Sequence, residues 1–255
     1  MILRLLLLFF LFVHPFYISA QTDKEFSVEY KRYNDSSMPN IYMNTLWIKG
    51  DCSIFQSKLY TQVDWEEKMV KDTTGVTVRK KPMTFDPLLK IDISKKQMFF
   101  YDKIGNNMML VSDTYYDFKW IITEDRKKIA GFTCSKATTS YRGRNWVAWF
   151  TTDIPISFGP WKLHGLPGLI LEAYDADHLT TFVAEKIEQK KGSLFEKDFG
   201  SIYEHTNAKP ISNQQFMADT DEYYYNIKKQ YAVDGVSIEK TKYPRTGPEL
   251  KYEWE

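Results

Sequence analysis

Between Asp153 and Asp175 the chain reads DIPISFGPWKLHGLPGLILEAYD, with three prolines and three glycines from Pro155 to Gly168 followed directly by an apolar strand. So dense a set of turn residues reads as a corner. Pro167-Gly168 suggests a type II turn, because proline sets φ at the first central position and glycine accepts a positive φ at the second. Leu166, Leu169, Ile170 and Leu171 supply the apolar surface that a buried corner needs.

The rest of the chain reads mostly as strands. Phe26, Val28 and Tyr30 alternate with polar residues in a segment ending at Tyr33, the period of a half-buried strand. Ile41 to Lys49 and Cys52 to Tyr60 follow, broken at Gly50-Asp51. Thr61 to Asp86, with its runs of mixed charge, reads as an exposed loop or short helix. Further strands are predicted over 88–93, 97–101, 108–112, 118–122, 128–137, 146–150, 169–174 and 180–189. Thr123 to Lys127 is expected to form a hairpin loop, and Gly105-Asn106-Asn107 another. Trp146 to Phe150 is apolar at both parities, as in a strand covered on both sides. After an irregular polar stretch, Ser193 to Pro210, either Ser212 or Asn213 can cap a helix with Phe216, Tyr223, Ile227 and Tyr231 on one face. The expected fold is mainly β (α+β): a curved antiparallel sheet or half-barrel with a C-terminal helix packed on one face.

The first twenty residues have Arg4, an apolar run from Leu5 to Val13 and a small-residue end at Ser19-Ala20. That run is far shorter than the roughly 20 residues a membrane span needs, and it fits a signal peptide cleaved after Ala20. Residues 21–255 would then form a single exported domain, in the periplasm, associated with the outer membrane or outside the cell. No segment of the mature chain reads as transmembrane. Without Arg4 the basic and acidic counts are both 33, and no basic stripe points to nucleic acid. In an oxidising compartment Cys52 and Cys134 permit a disulfide closing a loop of about 80 residues, while two separately buried thiols are the other reading.

The string Gly165-Leu166-Pro167-Gly168-Leu169-Ile170 resembles the signature of the GLPGLI family, envelope proteins of Bacteroidota-type bacteria. Trp120, Ile129-Ala130-Gly131, Cys134 to Ala137, Gly143-Arg144, Trp149, Ile154-Pro155-Ile156 and Gly159-Pro160 resemble the same pattern in order and spacing. The resemblance is strong over residues 118 to 175 and weak outside them. It implies an architecture and an envelope address. No biochemical activity is established for that family, so no active site comes with it.

Arg144 and Lys136 stand beside apolar strands, where a charge needs a partner or a path to solvent. Glu172, which interrupts the run from Leu169 to Tyr174, is the expected counter-charge. With Trp149 these residues form the sequence's candidate ligand-binding set, against a purely structural ion pair. Asp175, Asp177 and His178 offer metal-ligand chemistry in one short turn, and a polar β-turn explains them equally well. Cys134 with His164 or His178 is the conceivable nucleophilic pair, but no phosphate loop, G-x-S-x-G or paired-carboxylate motif occurs. Neither a catalytic residue nor a metal or cofactor is assigned. The expected function is a non-enzymatic binding or chaperone-like role toward an apolar ligand, a peptide or a partner segment. The alternatives are an accessory to an outer-membrane receptor or transporter, and a thiol or hydrolytic enzyme using Cys134.

Overall fold

The computed structural model of the chain describes residues 25–34, 41–59, 70–71, 77–78, 87–190, 195, 199, 209–230, 239–245 and 247–255. The expected leader at 1–20, the expected turn at 35–40, most of 61–86, most of 193–208 and Tyr231, expected on the helix, lie outside the described residues.

Among the described residues there are fourteen strands and one helix: Glu25–Asn34 (β1), Ile41–Lys49 (β2), Cys52–Leu59 (β3), Val70–Lys71 (β4), Thr77–Val78 (β5), Leu88–Asp92 (β6), Gln97–Ile104 (β7), Asn107–Asp113 (β8), Ile121–Ile129 (β9), Phe132–Tyr141 (β10), Arg144–Thr151 (β11), Leu169–Asp175 (β12), Thr180–Lys190 (β13), Ile211–Ser212 (β14) and Asn213–Gln230 (α1). Twelve strands make one open sheet in the order β14-β8-β7-β6-β3-β2-β1-β13-β12-β11-β10-β9, while β4 and β5 pair separately. The order is two antiparallel meanders joined where β1 meets β13, with β14 added parallel to β8. Meanders follow from the short loops: two-residue turns such as Ala130-Gly131 and Arg142-Gly143 hold both φ angles positive, the type I′ geometry that matches strand twist.

The sheet is mainly antiparallel and curved. Phe55 of β3 and Phe182 of β13 are three strand positions apart, which is about 14 Å in a flat sheet. Their rings nevertheless meet edge-on at 6.1 Å. The concave face encloses a core drawn from both meanders, including Tyr30, Leu46, Ile91, Trp146, Leu171 and Phe182. Tyr30 is fully buried and donates its hydroxyl hydrogen to Ile170 O at 2.6 Å. Strand β11 is covered as its apolar pattern predicts, with Trp146, Ala148, Phe150 and even Trp149 buried.

The helix begins where expected: the Ser212 hydroxyl accepts from the Gln215 N–H at 3.1 Å, a capping bond. It lies against β7, β8 and β14, at one margin of the sheet, and buries Asn213 and Phe216. Phe216 meets Phe100 edge-on at 5.9 Å.

Several expectations are corrected. Residues 114–120 are irregular rather than part of a strand, and β9 runs unbroken through the expected hairpin loop at Thr123 to Lys127. The turn falls instead at Ala130-Gly131, and Thr123 to Asp125 is a bulge, since Ser135 pairs with Arg126 while Ala137 pairs with Ile122. A cluster of polar residues signals a break in the ladder, and a bulge satisfies that signal without reversing the chain. Of the two readings left open for Cys52 and Cys134, the one found is separate, free thiols. They sit on β3 and β10, six strand positions apart, whereas a disulfide needs Cα atoms within about 7 Å.

Candidate functional site

The Gly/Pro corner links β11 to β12 by folding over the concave face, and its glycines act by two different means. Gly165 has φ +89°, and Trp161 also lies in the left-handed region at +55°. Gly168 does not have a positive φ, so the expected type II turn at Pro167-Gly168 is not formed. What Gly168 provides is closeness: a Cβ there would stand 2.0 Å from Thr151 O. Gly159 is similar, since a Cβ would reach 2.7 Å from Ile170. Bonds from Gly165 N–H to Ser157 O at 2.9 Å and from Ile170 N–H to Phe158 O at 3.0 Å hold the corner shut. Trp161 then lies 5.5 Å from the Trp146 ring, and the neighbouring Lys162 side chain is carried into the interior at 4% exposure.

Lys162 ends in a buried ionic cluster. Its ammonium donates to Asp113 Oδ2 at 2.6 Å and to Glu249 Oε1 at 2.7 Å, above the rings of Phe100 and Trp161. Arg142, held at the β10–β11 turn, grips Asp113 with two bonds of 2.9 and 2.8 Å and also reaches Glu249 and Glu253. Asn213, at the start of α1, donates Nδ2–H to Asp113 Oδ1 at 2.8 Å. Burial by itself would raise the Asp113 carboxyl, but the Lys162 ammonium and the Arg142 guanidinium outweigh it and hold the group well below the usual carboxylate range. The C-terminal segment is tied to the same turn, because the N–H groups of Leu250 and Lys251 both donate to Arg142 O.

Beside this cluster opens a cleft of about 280 Å3. Phe55, Leu89, Phe100, Trp161, Phe182 and Phe216 supply much of its wall, and the C-terminal Pro248, Glu249 and Tyr252 border it. Its polar lining includes Arg32, Asp102, Lys162 and Asn213. The Arg32 guanidinium lies over Tyr42 and Phe182, at 5.2 and 5.7 Å from the ring centres. Asn213 is 3% exposed, and its Oδ1 has no hydrogen-bond partner among the described residues.

The residues singled out from sequence fall in other places. Arg144 is buried, but its partner is Asp175 at 2.9 Å, with a second bond from Nε to Gly247 O at 2.7 Å. Glu172 is therefore not its counter-charge, nor that of Lys136. It accepts from Lys127 at 2.8 Å, while Lys136 pairs with Asp125 at 3.1 Å. Lys136, Trp149 and Glu172 are direct cross-strand neighbours on β10, β11 and β12, and the Lys127 ammonium caps the Trp149 ring at 4.4 Å. Three of the four candidates are thus brought together, and Arg144 stands apart. None of the four lines the cleft. Asp175 also accepts the Thr180 N–H at 2.6 Å, and His178 stacks on Tyr174 at 4.4 Å. No group of three or more His, Cys, Asp or Glu residues able to hold a metal occurs among the described residues.

His164 is 1% exposed, its Nδ1 lies 2.8 Å from Lys162 O, and burial lowers its pKa. Cys134 is fully buried, and burial pushes its thiol up. Of the motif residues, Gly143 takes φ +83° in the turn that carries Arg142, Pro160 is buried and Leu166 is 1% exposed. Pro155 and Pro167 lie at the surface. Sequence reasoning missed Asp113, Arg142, Lys162, Asn213 and Glu249. A usable signal was present for one of them: a lysine between Trp161 and Leu163, in a corner dense enough to fold on itself, has little access to water.

The fold and cleft thus define a class: an open, curved β-sheet protein with an apolar cleft at one end and a buried ionic cluster beside it. Residues 142–172 match the model of a family described as a protein of unknown function (Porph_ging). No curated protein matches the chain. Among solved structures, PNGF-II in its C2 crystal form is similar at a TM-score of 0.53 with 16% identity, over 78% of this chain and 33% of that one. Its P21 form gives 0.52 and 17%, over 77% and 33%. The chain therefore spans about a third of the length of PNGF-II, and at this identity the likeness is one of fold.

Proposed function

We propose that the chain is an exported envelope protein of the GLPGLI type that holds an apolar ligand without transforming it. The observation carrying this reading is the cleft, walled by aromatic side chains and bordered by both the helix and the C-terminal segment. The leader-like first twenty residues support export, and the signature at 165–170 supports the family.

The two alternatives have less behind them. A partner strand could add to β9, where Ile121 and Ile122 are 68% and 50% exposed. The bulge and the run Glu124-Asp125-Arg126-Lys127-Lys128 on that edge are the devices by which sheets resist such pairing. A thiol enzyme would need a reactive Cys134, and its burial opposes the thiolate.

Native mass spectrometry of the protein taken gently from its host's envelope tests the proposal. A reproducible added mass is expected, and Met217→Trp, which fills the cleft from α1, should remove it. The bare chain mass in every preparation would overturn the reading and favour a partner-protein role.

A further inference from the structure

The wall of the cleft is of two kinds. Phe55, Leu89, Phe100 and Phe182 stand on strands of the sheet and Phe216 and Met217 on α1, so ladder and helix hydrogen bonds fix them. Pro248, Glu249 and Tyr252 stand on a segment, 247–255, that forms neither strand nor helix. Among the described residues its backbone is tied to the sheet only around the β10–β11 turn. There Leu250 N–H and Lys251 N–H both donate to Arg142 O, at 2.9 and 3.2 Å, and Arg144 donates to Gly247 O at 2.7 Å.

Side chains lock the same joint. Glu249 accepts from Lys162 and Arg142, Glu253 accepts from Arg142 at 3.0 Å, and the Tyr252 ring lies 4.9 Å from the Arg142 guanidinium. At its other end Glu255 pairs with Lys242 and Arg245, and Arg245 grips Asp221 of α1. The segment is a strap along one side of the cleft, anchored on the helix and latched at the turn. Lifting it withdraws the Glu249 and Glu253 carboxylates and leaves Lys162 and Arg142 with Asp113 alone of that cluster, a cost that keeps the strap closed most of the time. With the strap in place the cleft, at about 280 Å3, is at the lower end of small-molecule sites. Without it, one whole side is open. A segment held by so few backbone bonds opens at a lower free energy than the sheet it rests on.

We infer that residues 247–255 are the gate of the cleft: a ligand enters and leaves when Glu249 releases Lys162 and Arg142 and the strap swings off the β10–β11 turn as one piece. This rests on the ligand-binding reading above and adds the step that controls access.

A staple tests the gate. A Cβ at Gly143 would lie 3.5 Å from the Lys251 Cβ, within the roughly 3.5–4.5 Å that a disulfide spans. Gly143→Cys combined with Lys251→Cys therefore pins the strap to the turn when oxidised and frees it when reduced, in one and the same variant. The small neutral dye Prodan reports apolar surroundings, and stopped-flow fluorescence reads its uptake and release. Both are expected to be roughly tenfold or more slower in the oxidised form than in the reduced form. Equal rates in the two forms would overturn the gate. Hydrogen exchange on the unaltered protein decides without any variant: the Leu250 and Lys251 amides should exchange well before those of β11 and β12, and exchange as late as the sheet would overturn the inference as well. Failure of the dye to bind the unaltered protein, with no added mass on the purified one, removes the cleft reading and the gate with it, whereas a bound dye indifferent to the staple removes the gate alone.

Discussion

Gly165 and Gly168 lie three residues apart in one corner, and an alanine at each should fail for a different reason. At Gly168 a methyl group would meet the Thr151 carbonyl at 2.0 Å, and backbone cannot step aside as a flexible side chain can. Gly168→Ala is expected to cost about 3 kcal/mol or more. At Gly165 there is room, with Trp120 Nε1 4.0 Å away, and the cost is that of a left-handed φ, roughly 1–2 kcal/mol. Urea unfolding of the two variants measures the order, and a costlier Gly165→Ala would refute the assignment. The sequence shows two glycines of equal standing. Which needs its φ and which needs its missing side chain depends on a carbonyl that the corner meets only after folding.

Strand β9 is the long free edge of the sheet, and its protection lies in the bulge at Thr123 to Asp125 and in its charged run. Arg126 reinforces the bulge by donating to the Thr123 and Asp125 carbonyls, at 2.9 Å each. Replacing Glu124 and Lys128 together by valine should leave the monomer folded but make it associate through this edge. Light scattering at rising concentration reads the change, and a protein that stays monomeric would show that charge is not what guards the edge. At this scale the sequence was legible in kind but not in placement. Period and turn residues located most strands within a few positions, whereas a polar cluster does not distinguish a bulge from a hairpin loop. The helix start was legible because a cap is local chemistry.

Across the whole molecule, one ionic cluster ties together the end of β8, the β10–β11 turn, the Gly/Pro corner, the first turn of α1 and the C-terminal segment. Asp113 has a folded pKa below its ordinary value of 3.8, so the stability it contributes is full above about pH 4 and is lost as pH falls through the lower, folded pKa. His164, whose pKa is lowered from 6.5, acts in the same direction at higher pH, since the unfolded chain takes up the proton first. Asp113→Asn leaves two buried cations short of a carboxylate and should cost about 3–5 kcal/mol at neutral pH. It should also flatten the loss of stability below about pH 4, as followed by thermal melts across pH. A variant as stable as the parent at neutral pH would mean that the cluster contributes nothing net. The sequence by itself determined the β-rich class, most strands, the capped helix and the corner, because periodicity, turn chemistry and capping act between residues close in the chain. Only the tertiary structure decided that Cys52 and Cys134 stay apart, that Arg144 pairs with Asp175, and that Lys162, Asp113 and Asn213 meet beside a cleft. Those outcomes depend on strand order and sheet curvature, which bring distant residues together and leave no pattern along the chain.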